Sequence, residues 1–396
     1  MSDNRYVLTK YRGGVLAFSI NMLNNRLETV CFYKGDEVNA ANIGDIYTAK
    51  VTHVAKGMNA AFISYGKERR GYLPLDTRFE PVLINRKYDG RIKEGDEVLV
   101  RLDKEAVRTK EPVFSFQLSL TGKYCVVTNE KKGRGVSKKC PLDMREKLKA
   151  AIPGDIEYSV VVRTNAAALK DTDILTDECV RLSGRLTTIL NDGVHRTCGS
   201  LVWRAPSAYL LPLRDNHSFT YDRIVTDDEG LFEELSEFLP AYAPDLLEKL
   251  SMYQDASYPL EKLYSVDTKI NELLGRRVWL KSGAYLIIDK TEAMYVADIN
   301  SGKNISKKEN SQYIYEINLE AAAELMRQIR LRNLTGIIVA DFINMEDSRH
   351  KEQLMNELKR LAREDSVPTT VVDMTALDLV EITRKKTLKS LQEQFE

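Results

Sequence analysis

The sequence lacks the features of disulfide-rich, zinc-bound and membrane proteins. Its five cysteines are scattered, odd in number and never spaced as a CxxC pair, which excludes a disulfide framework or a zinc knuckle. It contains no run of about 18 apolar residues, the length needed to span a bilayer. The polar start, Met1–Arg5, does not resemble a signal peptide. A cytoplasmic location without membrane contact is therefore expected.

The chain also lacks a net charge, because its 58 Lys and Arg residues balance 58 Asp and Glu residues. A nucleic-acid binder with this balance needs a local basic face, since no overall field steers the ligand. The length of 396 residues exceeds what one hydrophobic core usually holds. Two or more domains are therefore expected.

Two apolar runs that end in an aspartate are the most informative feature. Val296–Asn300 and Val339–Phe342 each predict a buried strand, where a carboxylate needs a partner. The helical pattern between them predicts a strand, a crossover helix and a parallel strand. This topology would place Asp298 beside Asp341, with Asn300 on the same face as Asp298. Hard oxygen ligands of this kind suit Mg²⁺.

The two aspartates also have a purely structural interpretation. Each could cap a loop or form an ion pair with Arg327, Arg330 or Lys303. Perturbed carboxylates occur in structural ion-pair networks as well as in active sites, so the spacing alone leaves both interpretations open.

Three local predictions concern the chain around these aspartates. The short connection Lys290–Ala293 predicts a hairpin. Asn318 is a candidate N-cap of the crossover helix. The segment Asp378–Lys386 predicts the start of a basic terminal helix.

Short alternating strands between Asn42 and Leu102 predict a small closed barrel of the OB type. Phe62 and Tyr72 are candidates to stack on bases, and Lys110 is a candidate to contact a phosphate. For Phe62 the alternative is a side chain in the barrel core.

Basic residues follow the predicted barrel. The loop Lys131–Lys139 combines cations with glycines, and Lys138 and Lys139 are candidates for phosphate contacts, although such runs are often only solvated. A later predicted strand ends in Arg163 and Thr164, which offer a guanidinium fork and a hydroxyl to a terminal phosphate. The alternative for Arg163 is an ion pair with a nearby acid.

Several strings, in order along the chain, resemble ribonucleases of the E/G family. They are Ile288–Ala293, Asp298–Ser301, Asn318–Ala322, Gln328–Asn333, Gly336–Ile343 and Leu379–Arg384. Asn42–Leu75 is similar to the S1-like RNA-binding barrel of that family. The barrel followed by these strings at this distance is a specific combination.

The resemblance implies a multidomain fold of α+β and α/β parts. Residues 1–40 and 209–273 would form an RNase H-like scaffold, interrupted by an S1-like OB barrel at 41–118 and a 5′-monophosphate sensor region at 119–208. Residues 274–396 would form a DNase I-like α/β catalytic domain.

The resemblance also implies roles for individual residues. Asp298 and Asp341 match the ligands of Mg²⁺, for which Mn²⁺ could substitute, and Asn300 matches the residue that orients the scissile phosphate. The positions that match the pocket for a 5′-monophosphate are Gly122, Val126, Arg163 and Thr164. The positions that match residues of the barrel that bind single-stranded RNA are Phe62, Tyr72 and Lys110.

The implied activity is a magnesium-dependent endoribonuclease that cleaves single-stranded RNA, leaving 5′-phosphate and 3′-hydroxyl ends, in RNA decay or rRNA processing. The alternatives are a non-catalytic RNA-binding protein that uses the barrel and, less compatible with an RNA-binding barrel, a DNA nuclease.

The sequence departs from the family pattern at three points. It lacks the paired cysteines of the zinc link that joins two subunits of a homodimer, so no zinc site is expected within it. Tyr72 stands where phenylalanine is usual, and Asn344 stands where aspartate is usual.

Overall fold

The computed structural model describes residues 3–35, 41–76, 78–106, 110–215, 220–255, 257–302, 311–386 and 388–396. The chain divides into two compact units. The first consists of residues 1–38, 216–237 and 245–396, and the second of residues 39–215 and 238–244. No helix within the described ranges has the length and apolarity that a membrane crossing requires.

Strands predominate as far as Val136, and helices are interspersed among the later strands. In chain order the strands are β1 (Asn4–Tyr11), β2 (Gly14–Asn21), β3 (Arg26–Tyr33), β4 (Ile46–Ala55), β5 (Ala60–Ser64), β6 (Arg70–Pro74), β7 (Glu97–Lys104), β8 (Val113–Ser115), β9 (Ser119–Thr121), β10 (Cys125–Lys131), β11 (Arg134–Val136), β12 (Tyr158–Val162), β13 (Leu201–Trp203), β14 (Arg223–Thr226), β15 (Leu250–Met252), β16 (Arg277–Trp279), β17 (Tyr285–Lys290), β18 (Met294–Asn300), β19 (Gly336–Asp341), β20 (Thr369–Met374) and β21 (Leu379–Arg384). The α-helices are α1 (Leu142–Ala150), α2 (Asp173–Gly193), α3 (Leu211–Asp215), α4 (Glu229–Tyr242), α5 (Leu260–Leu263), α6 (Val266–Leu274), α7 (Ser311–Leu331), α8 (Ser348–Arg363) and α9 (Leu391–Phe395). Short 3₁₀ helices are Lys56–Met58, Thr164–Ala168, Ala208–Leu210 and Pro244–Lys249.

The second unit contains the predicted closed barrel. Its strands follow the order β4-β5-β6-β8-β7, and β4 also pairs with β7, which closes the sheet. In β5, Ala61 and Ile63 point into the core while Phe62 between them points outward, as the two-residue period of a strand requires. Gly71 lies against the ring of Phe114, where a Cβ atom would come within 2.5 Å, so only glycine fits. The predicted barrel is therefore confirmed.

A four-stranded sheet follows the barrel within the same unit. Its order is β11-β12-β10-β9, with β10 antiparallel to β12 and β11 parallel to it. Helix α2 lies against β10 through a buried apolar stripe. The stripe consists of Leu175, Cys179, Leu182, Leu186 and Ile189. Their helical spacing explains why this segment forms an amphipathic helix.

The first unit contains two sheets. The five-stranded sheet has the order β15-β14-β1-β2-β3, so strands distant in sequence join in one layer. The six-stranded sheet has the order β16-β17-β18-β19-β21-β20. In it, β18 runs parallel to β19, with α7 as the crossover between them. The predicted strand, helix and parallel strand are confirmed, and so is the hairpin between β17 and β18.

The six-stranded sheet buries only one of its faces. Ala297 and Ile299 of β18, with Ile338 and Ala340 of β19, belong to a core that also includes residues of α7 and α8. The residues that alternate with them stay partly or fully exposed. This second side, which carries Asp298 of β18 and Asp341 of β19, is the open face of the sheet.

Two predictions about this region are wrong. The segment Asp378–Lys386 was expected to begin a helix, but Leu379–Arg384 forms strand β21 between β19 and β20. Val380 and Ile382 are fully buried at a spacing of two residues, which fits a strand. Asn318 lies well inside α7 and is fully buried, so it is not an N-cap.

Candidate functional site

The two aspartates lie side by side at the carboxyl ends of β18 and β19. The parallel register pairs Asp298 with Asp341. Residues paired in this way point to the same side of a sheet, and neighbouring strands lie about 4.8 Å apart. Asp298 is half-buried and Asp341 is exposed, both on the open face. The predicted juxtaposition is therefore present, and their role as metal ligands stays a prediction.

Asn300 lies next to this pair and is connected to it. Its Nδ2 donates a hydrogen bond of 2.8 Å to Oδ2 of Asp298. Asn300 stands two residues after Asp298 on β18, so both side chains are on the same face. The amide and the carboxylate therefore form one polar group beside Asp341.

The alternative interpretation, in which Asp298 and Asp341 form ion pairs with Arg327 or Arg330, is not supported. Among the described residues, neither Asp298 nor Asp341 forms an ion pair. Arg327 bonds Glu324 instead, at 2.8 Å. Nη1 of Arg330 is buried and has no hydrogen-bond partner among the described residues. Lys303 lies outside the described residues.

The donor set fits a hard divalent ion that keeps part of its water shell. Among the described residues, no group of three or more His, Cys, Asp or Glu side chains could hold a metal. The protein would therefore offer two carboxylates and leave the other positions to water and substrate oxygens. Mg²⁺ is bound in this way in many phosphate-processing sites, whereas structural Zn²⁺ needs four protein ligands.

A buried amide fixes the chain directly after Asp341. Nδ2 of Asn318 donates to the carbonyl oxygen of Ile343 at 2.7 Å, and its Oδ1 accepts from the backbone N–H of Ile343 at 3.1 Å. Because both backbone groups are satisfied by one fully buried side chain, the exit of β19 is anchored to α7. The only sequence signal was an asparagine on the apolar stripe of a helix.

Arg163 is held in a fixed position near Gly122. Its Nη1 donates to the carbonyl oxygen of Gly122 at 2.6 Å and to Oδ1 of Asp215 at 2.8 Å. Asp215 also accepts two bonds from Arg214, at 2.7 and 2.9 Å. Burial opposes the charge of Asp215, but the two guanidinium groups hold its pKa below the usual value. The ion pair proposed as an alternative for Arg163 is therefore present. The carboxylate of Asp215 accepts hydrogen bonds from both Arg163 and Arg214.

Two other members of the predicted phosphate pocket are Thr164, which begins the 3₁₀ helix after β12, and Val126 on β10, the neighbour of β12. The hydroxyl of Thr164 is 3.1 Å from Oγ of Ser137. Val126 pairs with Val161 across β10 and β12 and is half-buried. Their contribution to phosphate binding stays a prediction.

Glu178 was not expected from the sequence, and it explains the glycine at position 122. Its buried carboxylate accepts the backbone N–H groups of Lys123, Tyr124 and Cys125 at 2.8, 2.7 and 2.9 Å. A Cβ atom on Gly122 would lie 2.4 Å from the carboxyl carbon of Glu178. The loop that presents the carbonyl oxygen to Arg163 is therefore rigid.

The barrel presents aromatic rings on its outer surface. Phe62 and Tyr72 are cross-strand partners, with centroids 6.0 Å apart and planes at 70°. The ring of His53 stacks on Phe62 at 6.4 Å. Phe62 is half-buried outside the barrel core, so the core interpretation is wrong. Lys110 is exposed.

The basic segment after the barrel is partly structural. Arg134 donates to four backbone carbonyl oxygens, which belong to Gly133, Pro153, Ile156 and Tyr158. Lys138 and Lys139 are exposed. Their role as candidates for phosphate contacts stays a prediction.

Comparison with known proteins gives consistent similarities. The model of the ribonuclease E/G family matches residues 119–387. Ribonuclease G of Salmonella typhimurium is 30% identical over 363 residues, which cover 88% of this chain and 74% of that protein. Ribonuclease G of Haemophilus influenzae is 30% identical over 364 residues, with the same coverage of 88% and 74%.

Similarity extends to longer proteins as well. Ribonuclease E of Buchnera aphidicola is 30% identical over 375 residues, covering 91% of this chain and 41% of that protein. The family model and the ribonuclease G sequences both include the two strands that carry Asp298 and Asp341. This chain therefore belongs to the ribonuclease E/G family, which confirms the resemblance in its sequence and the enzyme type that the resemblance implies.

Proposed function

We propose that the protein is a magnesium-dependent endoribonuclease that hydrolyses phosphodiester bonds of single-stranded RNA in RNA decay or rRNA processing. The observation that carries this proposal is the register pairing of Asp298 with Asp341 on an open sheet face, in a member of the ribonuclease E/G family. The products would carry a 5′-phosphate and a 3′-hydroxyl.

Each residue of the pair has a defined task in this proposal. Asp298 and Asp341 would hold Mg²⁺ from adjacent strand ends. When bound, the ion neutralises charge on the phosphoryl oxygens and lowers the pKa of the attacking water. Asn300 would hydrogen-bond the scissile phosphate. Its bond to Asp298 limits the rotation of the amide and so would keep it positioned for that contact. The exposed position of Asp341 gives an RNA strand access to the site.

The sheets support the proposed domain roles. Strands β14 and β15 join β1, β2 and β3 in one layer, which supports a single RNase H-like scaffold built from residues 1–40 and 209–273. The closed barrel supports an S1-like RNA-binding domain at 41–118, where Phe62 and Tyr72 would stack bases beside Lys110. Residues 119–208 would form the sensor region and 274–396 the DNase I-like catalytic domain.

A labelled single-stranded RNA tests the proposal directly. We expect cleavage in Mg²⁺, none in excess EDTA, and none of a substrate with deoxyribose throughout. End-group analysis should give 5′-phosphate and 3′-hydroxyl products. RNA binding without cleavage would favour the non-catalytic RNA-binding protein, and equal cleavage of the deoxy substrate would favour a DNA nuclease. Products with a 2′,3′-cyclic phosphate would contradict water as the nucleophile.

The sensor role of Arg163 predicts a loss confined to one kind of substrate. Arg163→Gln should raise KM at least about tenfold for RNA with a 5′-monophosphate, because a charge-assisted hydrogen bond contributes about 1.5–3 kcal/mol. KM for the same RNA with a 5′-hydroxyl should change little. Lys149→Gln, the same charge change at an exposed position of α1, is the control. Equal loss on both substrates would assign Arg163 a structural role only.

A further inference from the structure

We propose that the open face carries a base-stacking subsite, formed by Trp279 and Tyr285 with Arg277, which takes a nucleobase of the RNA near the scissile linkage. This inference rests on the proposed function in one respect, namely that RNA occupies the open face. None of these three residues was a candidate from the sequence.

The indole ring of Trp279 is unusually exposed to solvent. It lies on the edge strand β16, and the residue is 62% exposed. Packing against the core is done by its neighbour Val278, which points to the opposite side of the strand. The indole therefore contributes little to the core. A large aromatic ring that is exposed and not needed for core packing is suited to binding a ligand.

A guanidinium group completes the surface. The guanidinium carbon of Arg277 lies 4.5 Å from the ring centroid of Tyr285 and 5.4 Å from that of Trp279. The two rings are 5.2 Å apart, at 61°. Among the described residues Arg277 has no carboxylate partner, whereas the adjacent Arg276 is paired with Asp289 at 2.5 Å. The charge of Arg277 is thus available to a phosphate or to a stacked base.

The strand register connects this surface with the carboxylates. Trp279 pairs with Tyr285, and Tyr285 pairs with Asn300. One row further along the strands, the pairing runs from Arg277 through Ile287 to Asp298. All of these side chains lie on the open face, and β16 is two strands from β18, a distance of about 10 Å. A nucleotide close to the scissile phosphate can therefore reach the rings.

The chemistry favours a nucleobase over an apolar protein segment. Unpaired bases of single-stranded RNA are recognised by stacking on aromatic rings and guanidinium planes, together with cationic contacts to the backbone. The surface offers both within one cluster. An apolar partner would gain nothing from the charge of Arg277 and would have to desolvate it.

Fluorescence tests the contact without turnover. The chain has two tryptophans, so Trp203→Phe leaves Trp279 as the single reporter. A short single-stranded RNA in EDTA should quench its emission in a saturable manner, over the range where anisotropy shows binding. Inorganic polyphosphate is the control without bases and should not quench. Saturated RNA binding without quenching, or equal quenching by polyphosphate, would overturn the proposal.

Kinetics separate this subsite from the catalytic proposal. Trp279→Ala should raise KM about tenfold, the size expected for one stacked base, with kcat within about twofold. Trp279→Phe should restore most of the affinity, and thermal unfolding should confirm that each variant is folded. If the protein proves unable to cleave RNA but RNA still quenches Trp279, the subsite stands and only the catalytic role fails. Normal KM in Trp279→Ala would overturn the subsite.

Discussion

Replacing either Asp298 or Asp341 by asparagine is expected to reduce RNA cleavage by at least about a thousandfold, with RNA affinity nearly unchanged. Asparagine keeps the size of the side chain and removes the charge that would hold the ion. Loss of the ion removes several kcal/mol of stabilisation from the transition state, at about 1.4 kcal/mol for each factor of ten. Cleavage would be measured as kcat/KM at saturating Mg²⁺, and affinity by anisotropy in EDTA.

Asp347→Asn is the matched control for these variants. It makes the same chemical change in the same unit, where Asp347 caps α8 by accepting the N–H of Arg349. Asparagine is an equally good N-cap, so cleavage and stability should stay near their original values. Full turnover by Asp298→Asn or Asp341→Asn in Mg²⁺ would refute the metal site. A similar loss in Asp347→Asn would show that the assay reports general damage.

The juxtaposition of the two aspartates could be predicted because it depends on topology and pattern alone. Parallel strands joined by a crossover helix place their carboxyl ends at the same edge of a sheet. The two runs each end in Ala-Asp, and the observed register aligns Ala297 with Ala340 and Asp298 with Asp341.

Contacts between distant residues could not be predicted in this way. Asp215 lies 52 positions after Arg163, and nothing in its local sequence indicates that it pairs with that side chain. The intrinsic preference of asparagine predicts a helix start at Asn318, but a long-range bond to Ile343 determines its place. The stacking of Arg277 on Tyr285 depends likewise on the pairing of two strands.

The segment around Arg384 shows why a local pattern gave the wrong element. Leu379–Arg384 has charged and apolar residues that fit a helix or a strand, and short runs of this kind are ambiguous. Strand β19 requires a partner for its second edge, and β21 supplies it over six residues. Tertiary pairing therefore overrides the local preference.

Arg384→Met is expected to destabilise the first unit by about 3–5 kcal/mol, the usual cost of leaving one charge of a buried ion pair without its partner. The side chains of Arg384 and Asp365 are 4% and 1% exposed, and Nε of Arg384 donates to Oδ2 of Asp365 at 2.8 Å. Nη1 also donates to Oδ1 of Asn333 at 2.6 Å. Methionine fills part of the volume but leaves the carboxylate of Asp365 buried and unpaired.

The measurement must report on the unit that contains Arg384. Urea unfolding followed by Trp279 fluorescence in the Trp203→Phe background does so, because Trp279 and Arg384 belong to the same compact unit. Arg349→Met is the matched control, since its side chain is 85% exposed in an ion pair with Asp347. An exposed pair of this kind contributes about 1 kcal/mol at most. If Arg384→Met costs no more than the control, the buried pair does not stabilise the sheet that presents Asp341.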